Sequence, residues 1–135
     1  MIFTLSTTTN NAQTTVITIY NVLGTCDMWI HGYANSSCGA TPYLSSGVCV
    51  PAGTTAVLNS IGSAGDEWEY FSFQPAPASA GCGNPNNCGH APDYIFNLYY
   101  QSMGCGTPTT FVGGSCPCGS SITITQPSAT TIEIL

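Results

Sequence analysis

The residues of this chain best suited to chemistry are its cysteines, eight of them in 135 residues. An even number of cysteines in a small chain rich in Ser, Thr, Gly and Asn indicates disulfides formed outside the reducing cytosol. We therefore predict that all of them are oxidised, with a Cys82–Cys88 disulfide and the other pairings left open. The predicted disulfide cysteines are Cys26, Cys38, Cys49, Cys82, Cys88, Cys105, Cys116 and Cys118.

Metal binding is the alternative use of these thiols. Structural zinc sites usually contain CxxC pairs, and this sequence has none. Asp66, Glu67 and Glu69 offer hard oxygen ligands that would suit calcium, but a solvated strand edge beside a Gly-rich turn is the favoured interpretation. We predict neither a metal nor any other cofactor.

Catalysis would need a general base or a nucleophile in a suitable setting. Glu67 and Glu69 lie two apart in a predicted strand, so they would share one face at about 6.5–7 Å, near the separation of inverting glycosidase carboxylates. His31 and His90 stand in no motif with a nucleophile, and the sequence contains no G-x-S-x-G or H-E-x-x-H. We predict that the protein is not an enzyme.

The chain contains no lysine and no arginine, and its formal net charge is −6. Nucleic-acid binding is therefore not expected, because phosphates are neutralised by Lys and Arg. A basic patch for anionic lipid is missing as well, and no apolar run is long enough to predict membrane insertion.

Short alternating runs rich in β-branched and aromatic residues predict an all-β fold. About eight or nine short strands separated by Gly/Pro-rich turns indicate an antiparallel β-sandwich or jelly roll, stabilised by disulfides. The predicted strands are Ile2–Thr8, Thr14–Tyr20, Met28–Gly32, Thr54–Ile61, Trp68–Phe73, Tyr94–Gln101, Ser121–Gln126 and Thr130–Leu135, with shorter pieces near Gly47–Val50 and Thr109–Val112.

The termini divide the chain into an arm and one domain. Residues 1–13 form an uncharged N-terminal arm, in which apolar Ile2, Phe3 and Leu5 precede a polar tether. Residues 14–135 are predicted to form a single β-sandwich domain that includes the C-terminal strand. Asn35 begins an Asn-Ser-Ser glycosylation triplet, which predicts a site for N-linked sugar.

A short segment resembles a known family. Ile19-Tyr20-Asn21, followed by Cys26, Asp27 and Trp29, is similar to the opening strand of thaumatin-like proteins, which are disulfide-rich secreted β-sandwiches. The resemblance covers about a dozen residues. The family's larger cysteine set, its glycine–cysteine–threonine signature and its acidic cleft residues have no counterpart here, so the resemblance implies a fold and a compartment rather than an activity.

The uncharged strands favour self-assembly. Soluble β-proteins protect sheet edges with charge, above all lysine, and the edge candidates Ile2–Thr8, Thr14–Tyr20 and Ser121–Gln126 carry none. We expect an extracellular or cell-surface structural subunit that assembles with itself into a fibre, filament or coat by donating a terminal strand, with Ile2, Phe3 and Leu5 as the donor. Subunits of bacterial spore appendages and other donor-strand filaments are similar in architecture. The alternative is a monomeric secreted carbohydrate-binding domain, lectin-like or thaumatin-like, that stacks sugars on exposed aromatic side chains.

Overall fold

A computed structural model describes residues 14–40, 44–77, 96–100, 103–106, 110–113 and 121–135. Over these residues the fold is all-β, and no helix occurs among them. The strands are β1 Ile17–Asn21, β2 Cys26–Asn35, β3 Leu44–Val50, β4 Thr55–Leu58, β5 Glu67–Pro77, β6 Phe96–Tyr99, β7 Thr110–Gly113, β8 Ile122–Ser128 and β9 Thr131–Ile134.

The strands form two sheets, which we call sheet 1 and sheet 2. Sheet 1 has the order β4-β1-β9-β8-β7 and sheet 2 the order β3-β2-β5-β6. All of the pairings are antiparallel except that of β1 with β9, which is parallel. The predicted all-β, antiparallel-rich fold is therefore confirmed, while the jelly-roll connectivity and the total number of strands stay predictions.

Both sheets contribute to one hydrophobic core. In sheet 1 the alternation of β1, β8 and β9 buries isoleucines, for example Ile19, Ile124 and Ile132. In sheet 2 the buried side chains are larger and include Trp68 and Phe71. Successive side chains of a strand point to opposite sides of the sheet. The alternation of apolar residues in the sequence therefore places these residues on the one face that is buried.

Trp68 connects the two sheets. Its ring lies beside Gly32 of the neighbouring strand, where an added Cβ would come within 2.5 Å of Trp68 Cζ3 and 2.8 Å of Leu58 Cδ2 in sheet 1. Its indole Nε1 donates a hydrogen bond of 2.7 Å to the carbonyl of Thr15, just before β1. The glycine therefore makes room for the ring, and the hydrogen bond satisfies its only polar atom.

β5 extends further than the sequence predicted. The predicted strand ends at Phe73, yet Pro75 and Pro77 also pair with β2, opposite Met28 and Cys26. Proline has no backbone N–H, so it cannot donate a hydrogen bond to a second neighbouring strand. On the other side β6 pairs with β5 only as far as Phe73, so these prolines face no described partner strand there.

The prediction of edge strands was partly wrong. β1 lies between β4 and β9, and β8 lies between β9 and β7, so both are interior strands. The third candidate, Ile2–Thr8, lies outside the described residues. The described edges are β4 and β7 in sheet 1 and β3 and β6 in sheet 2.

Candidate assembly surface

The four edge strands share one chemical property. None of β3, β4, β6 and β7 contains a charged residue. Of the carboxylates in the described part of the chain, Asp27, Glu67, Glu69 and Glu133 lie on interior strands and Asp66 lies in a turn. Charge is thus kept on strands that already have two neighbours, which is the reverse of the usual protection of sheet edges.

β3 differs from the other three edges in length. It has seven residues, whereas β4, β6 and β7 have four each. It pairs with β2 from Leu44 to Val50 without a register shift, and it contains neither proline nor charge. A short edge is itself a defence against strand addition, as are bulges, prolines and charges. β3 has none of these defences.

The first residue of β3 faces the core side yet is left uncovered. Leu44 is paired with Ala34, which is buried, and it follows the same alternation as Val48 and the buried Val50. Even so, 53% of Leu44 is exposed. Sequence reasoning placed only a short strand near Gly47–Val50 and missed Leu44, although the alternation of Leu44, Val48 and Val50 was the signal that could have revealed it.

Thr14, the first described residue, is hydrogen-bonded to the chain just after β4. It is buried, its backbone N–H donates to the carbonyl of Ile61 at 3.1 Å, and its hydroxyl accepts from the N–H of Ile61 at 2.7 Å. The predicted donor residues Ile2, Phe3 and Leu5 lie outside the described residues.

The outer face of sheet 1 carries several exposed apolar side chains and is nearly uncharged. Its exposed large side chains follow the outward alternation at or beside β1, β4 and β9, and they are Val16, Tyr20, Val22, Val57 and Leu135. Glu133, opposite Tyr20, is the only carboxylate among the described residues of this face.

The carboxylates proposed from the sequence do not form a common site. Asp66 closes its own turn, with Oδ2 accepting from the N–H of Ser63 at 2.8 Å. Tyr33 pairs with Tyr70 but Ala34 pairs with Trp68, so Glu69 is an additional residue in a β-bulge. The expected simple two-residue alternation from Glu67 to Glu69 is therefore interrupted.

Glu69 instead accepts hydrogen bonds from Asn35 and from the turn that follows it. Its Oε1 accepts from the Gly39 N–H at 2.8 Å, and its Oε2 accepts from Asn35 Nδ2 at 3.1 Å. Asn35 is buried and also donates to the carbonyl of Ala40. Glycosylation of Asn35 stays a prediction, and in the folded chain this nitrogen is engaged by two acceptors.

The described cysteines are oxidised, as the sequence predicted. Cys38 and Cys105 form a disulfide across 67 residues, and Cys26 and Cys49 are each disulfide-bonded as well. Cys82, Cys88, Cys116 and Cys118 lie outside the described residues, so the Cys82–Cys88 pairing stays a prediction.

Aromatic side chains form a row on the outer side of sheet 2. The ring centroids of Trp29 and His31 are 5.2 Å apart, those of His31 and Tyr33 are 6.3 Å apart, and Tyr33 stacks on Tyr70 at 4.5 Å. All four side chains are partly buried. His90, the second histidine, lies outside the described residues.

Other types of site are not found in the described part of the chain. It contains no cavity and no group of three metal-ligating side chains. None of its segments is a helix long and apolar enough to span a membrane. Comparisons with known protein families, with characterised proteins and with solved structures find no match to this chain.

Proposed function

We propose that the protein is an extracellular structural subunit that assembles into a fibre, filament or coat by donating its N-terminal strand to a neighbouring copy. The observation that carries this proposal is the set of four uncharged edge strands. In a monomeric protein, uncharged edge strands can pair with strands of other chains and so promote aggregation. In a self-assembling subunit, the same edge strands can form the contacts between copies.

The position of the C-terminal strand supports the N-terminus as donor. β9 lies between β1 and β8 and pairs with both. Donating β9 would therefore open sheet 1 in its interior. The proposed donor residues Ile2, Phe3 and Leu5 of the arm 1–13 carry no charge that would have to be desolvated on donation.

The proposed compartment follows from the covalent structure. The two sheets form a β-sandwich with disulfides, such as the Cys38–Cys105 bond, that persist in an oxidising environment. The subunit needs no cofactor and catalyses no reaction in this proposal. A head-to-tail contact between copies does not close on itself, and repetition of the contact yields a filament.

The test is electron microscopy of the oxidised full chain beside two matched variants. Ile2→Asn/Phe3→Asn/Leu5→Asn makes the arm polar, and Thr7→Asn/Thr8→Asn/Thr9→Asn makes the same number of changes in the tether. We expect fibres from the natural chain and from the tether variant, and none from the arm variant. A sharp monomer peak in size-exclusion chromatography of the natural chain would overturn the proposal.

A second candidate, carbohydrate binding, is favoured by the aromatic row of Trp29, His31, Tyr33 and Tyr70. It ranks lower because Tyr33 and Tyr70 stack with an interplanar angle of 17°, so each ring covers a face that a sugar would use. Binding of the natural chain to insoluble polysaccharides, lost on Trp29→Ala, would support it.

A further inference from the structure

We infer that β3 is the acceptor edge, and that the strand it accepts is Ile2–Leu5 of a second copy of this chain. The inference rests on the proposed function and adds the receiving surface to it. Four edges are available among the described strands. Two observations distinguish β3 from other edges, and a third concerns its match with the donated strand.

The first observation is the length of the edge. β3 offers seven residues in continuous register with β2, whereas each of the other described edges offers four. A donated strand gains affinity mainly from main-chain hydrogen bonds along the edge. The number of bonds that an edge can form rises with its length, so β3 provides the larger contact.

The second observation is the uncovered side chain of Leu44. It lies on the core-facing side of sheet 2, in line with the buried Val50, and 53% of it is exposed in the single chain. By contrast, the core-facing Leu58 of β4 is 1% exposed. The core is therefore complete at β4 and incomplete at the first residue of β3, where apolar residues from another copy would complete it.

The third observation is the match in charge. The chain has no Lys or Arg, so a carboxylate on either strand would find no lysine or arginine on the other copy. Both β3 and the arm segment Ile2–Leu5 are uncharged. In the arm Phe3 and Leu5 are two residues apart, so in a strand they point to the same side and can reach the core side together.

The experiment compares Leu44→Asp with Leu135→Asp in the full chain. The two leucines are exposed to similar degrees, 53% and 45%, but Leu135 lies at the end of sheet 1, away from the edges. At a concentration where the natural chain forms fibres, we expect Leu44→Asp to lower the sedimenting fraction at least about tenfold and Leu135→Asp to change it less than about twofold.

Hydrogen exchange of the unmodified protein gives an independent measurement should Leu44→Asp fail to fold. In fibres relative to dispersed subunits, we expect amides of β3 that point away from β2 to exchange at least about tenfold more slowly, with β4 amides unchanged. Slower exchange at β4 and unchanged exchange at β3 would overturn the inference.

The outcomes separate the acceptor from the donor. If the polar arm variant abolishes fibres but Leu44→Asp leaves them intact and β3 gains no protection, strand donation stands and β3 is not the acceptor. If the arm variant assembles as well as the natural chain, the proposed function fails and this inference fails with it. Loss of fibres in both variants, with Leu135→Asp unaffected, supports both.

Discussion

Single buried side chains in this molecule bind backbone groups at strand ends and in the connections between strands. Asn21 is a buried example: Nδ2 donates to the carbonyls of Cys26 at 2.8 Å and Val50 at 3.0 Å, and Oδ1 accepts from the N–H of Leu23. Glu69 has the same role beside the bulge of β5. With no Lys or Arg in the sequence, buried acceptors of this kind depend on amide donors instead of ion pairs.

The two glutamates of β5 make this dependence testable. Both carboxylate oxygens of Glu69 accept hydrogen bonds from N–H groups. In Glu69→Gln one oxygen is replaced by an NH2 group, which would face one of these donors and could not accept its hydrogen bond. We expect this change to lower the free energy of unfolding by about 1–3 kcal/mol. The measurement is urea unfolding, followed by circular dichroism under non-reducing conditions.

Glu67→Gln is the matched control. Glu67 is partly buried, and its Oε1 has no hydrogen-bond partner among the described residues. Because no donor is lost and a desolvated charge is removed, the free energy of unfolding should not fall by more than about 0.5 kcal/mol. Equal losses in the two variants would show that the contacts of Glu69 contribute nothing specific.

At the scale of the strands, the packing of the two sheets depends on one glycine. Gly32→Ala would place a methyl group 2.5 Å from Trp68 Cζ3 and 2.8 Å from Leu58 Cδ2. Because the tryptophan ring is buried and its Nε1 is hydrogen-bonded, it cannot move away freely. We expect a loss of about 1–3 kcal/mol in the free energy of unfolding, measured by the same urea titration.

Gly24→Ala provides the comparison for this change. Gly24 lies in the turn between β1 and β2, and an added Cβ would meet no atom within 4 Å. Its free energy of unfolding should stay within about 0.5 kcal/mol of that of the natural chain. A neutral Gly32→Ala would mean that the sheets can separate to accept the methyl group.

Most strands were predictable from the sequence because they depend on local patterns. The alternating isoleucines of β8 and β9 and the β-branched run of β1 identify strands without any tertiary information. Their neighbours were not predictable. β1 and β8 looked like edges because they lack charge, yet they are interior strands, since pairing order is determined by long-range packing that a period of two does not encode.

From the sequence, the type of candidate site, an open strand edge, could be proposed, but its position in the fold could not. The absence of charge from the candidate edge strands indicates open edges, and the donor role of Ile2, Phe3 and Leu5 is proposed from their apolar side chains alone. β3 as acceptor required the structure, because the exposure of Leu44 depends on which strands and loops surround it. The β-bulge at Glu69 likewise has no signal in the spacing of Glu67 and Glu69.

For the whole molecule, one sign of charge dominates the side chains. The formal net charge is −6, and the cations available are His31, His90 and the α-amino group. Contacts between copies therefore bring like charges together and form no ion pairs with basic side chains. Burial and main-chain hydrogen bonds have to exceed this repulsion, which extends over about 30 Å in 0.01 M salt but only about 8 Å in 0.15 M salt.

This imbalance predicts how assembly responds to salt. At pH 8, raising sodium chloride from about 0.02 M to about 0.5 M should increase the fibre yield or leave it unchanged, because screening weakens the repulsion between negatively charged copies. Glu133→Gln removes one negative charge from the outer face of sheet 1, so it should raise the yield at low salt and reduce the gain on adding salt. The yield is measured by sedimentation. Fibres that dissolve as salt is added would instead be held by attraction between opposite charges, which would contradict this account.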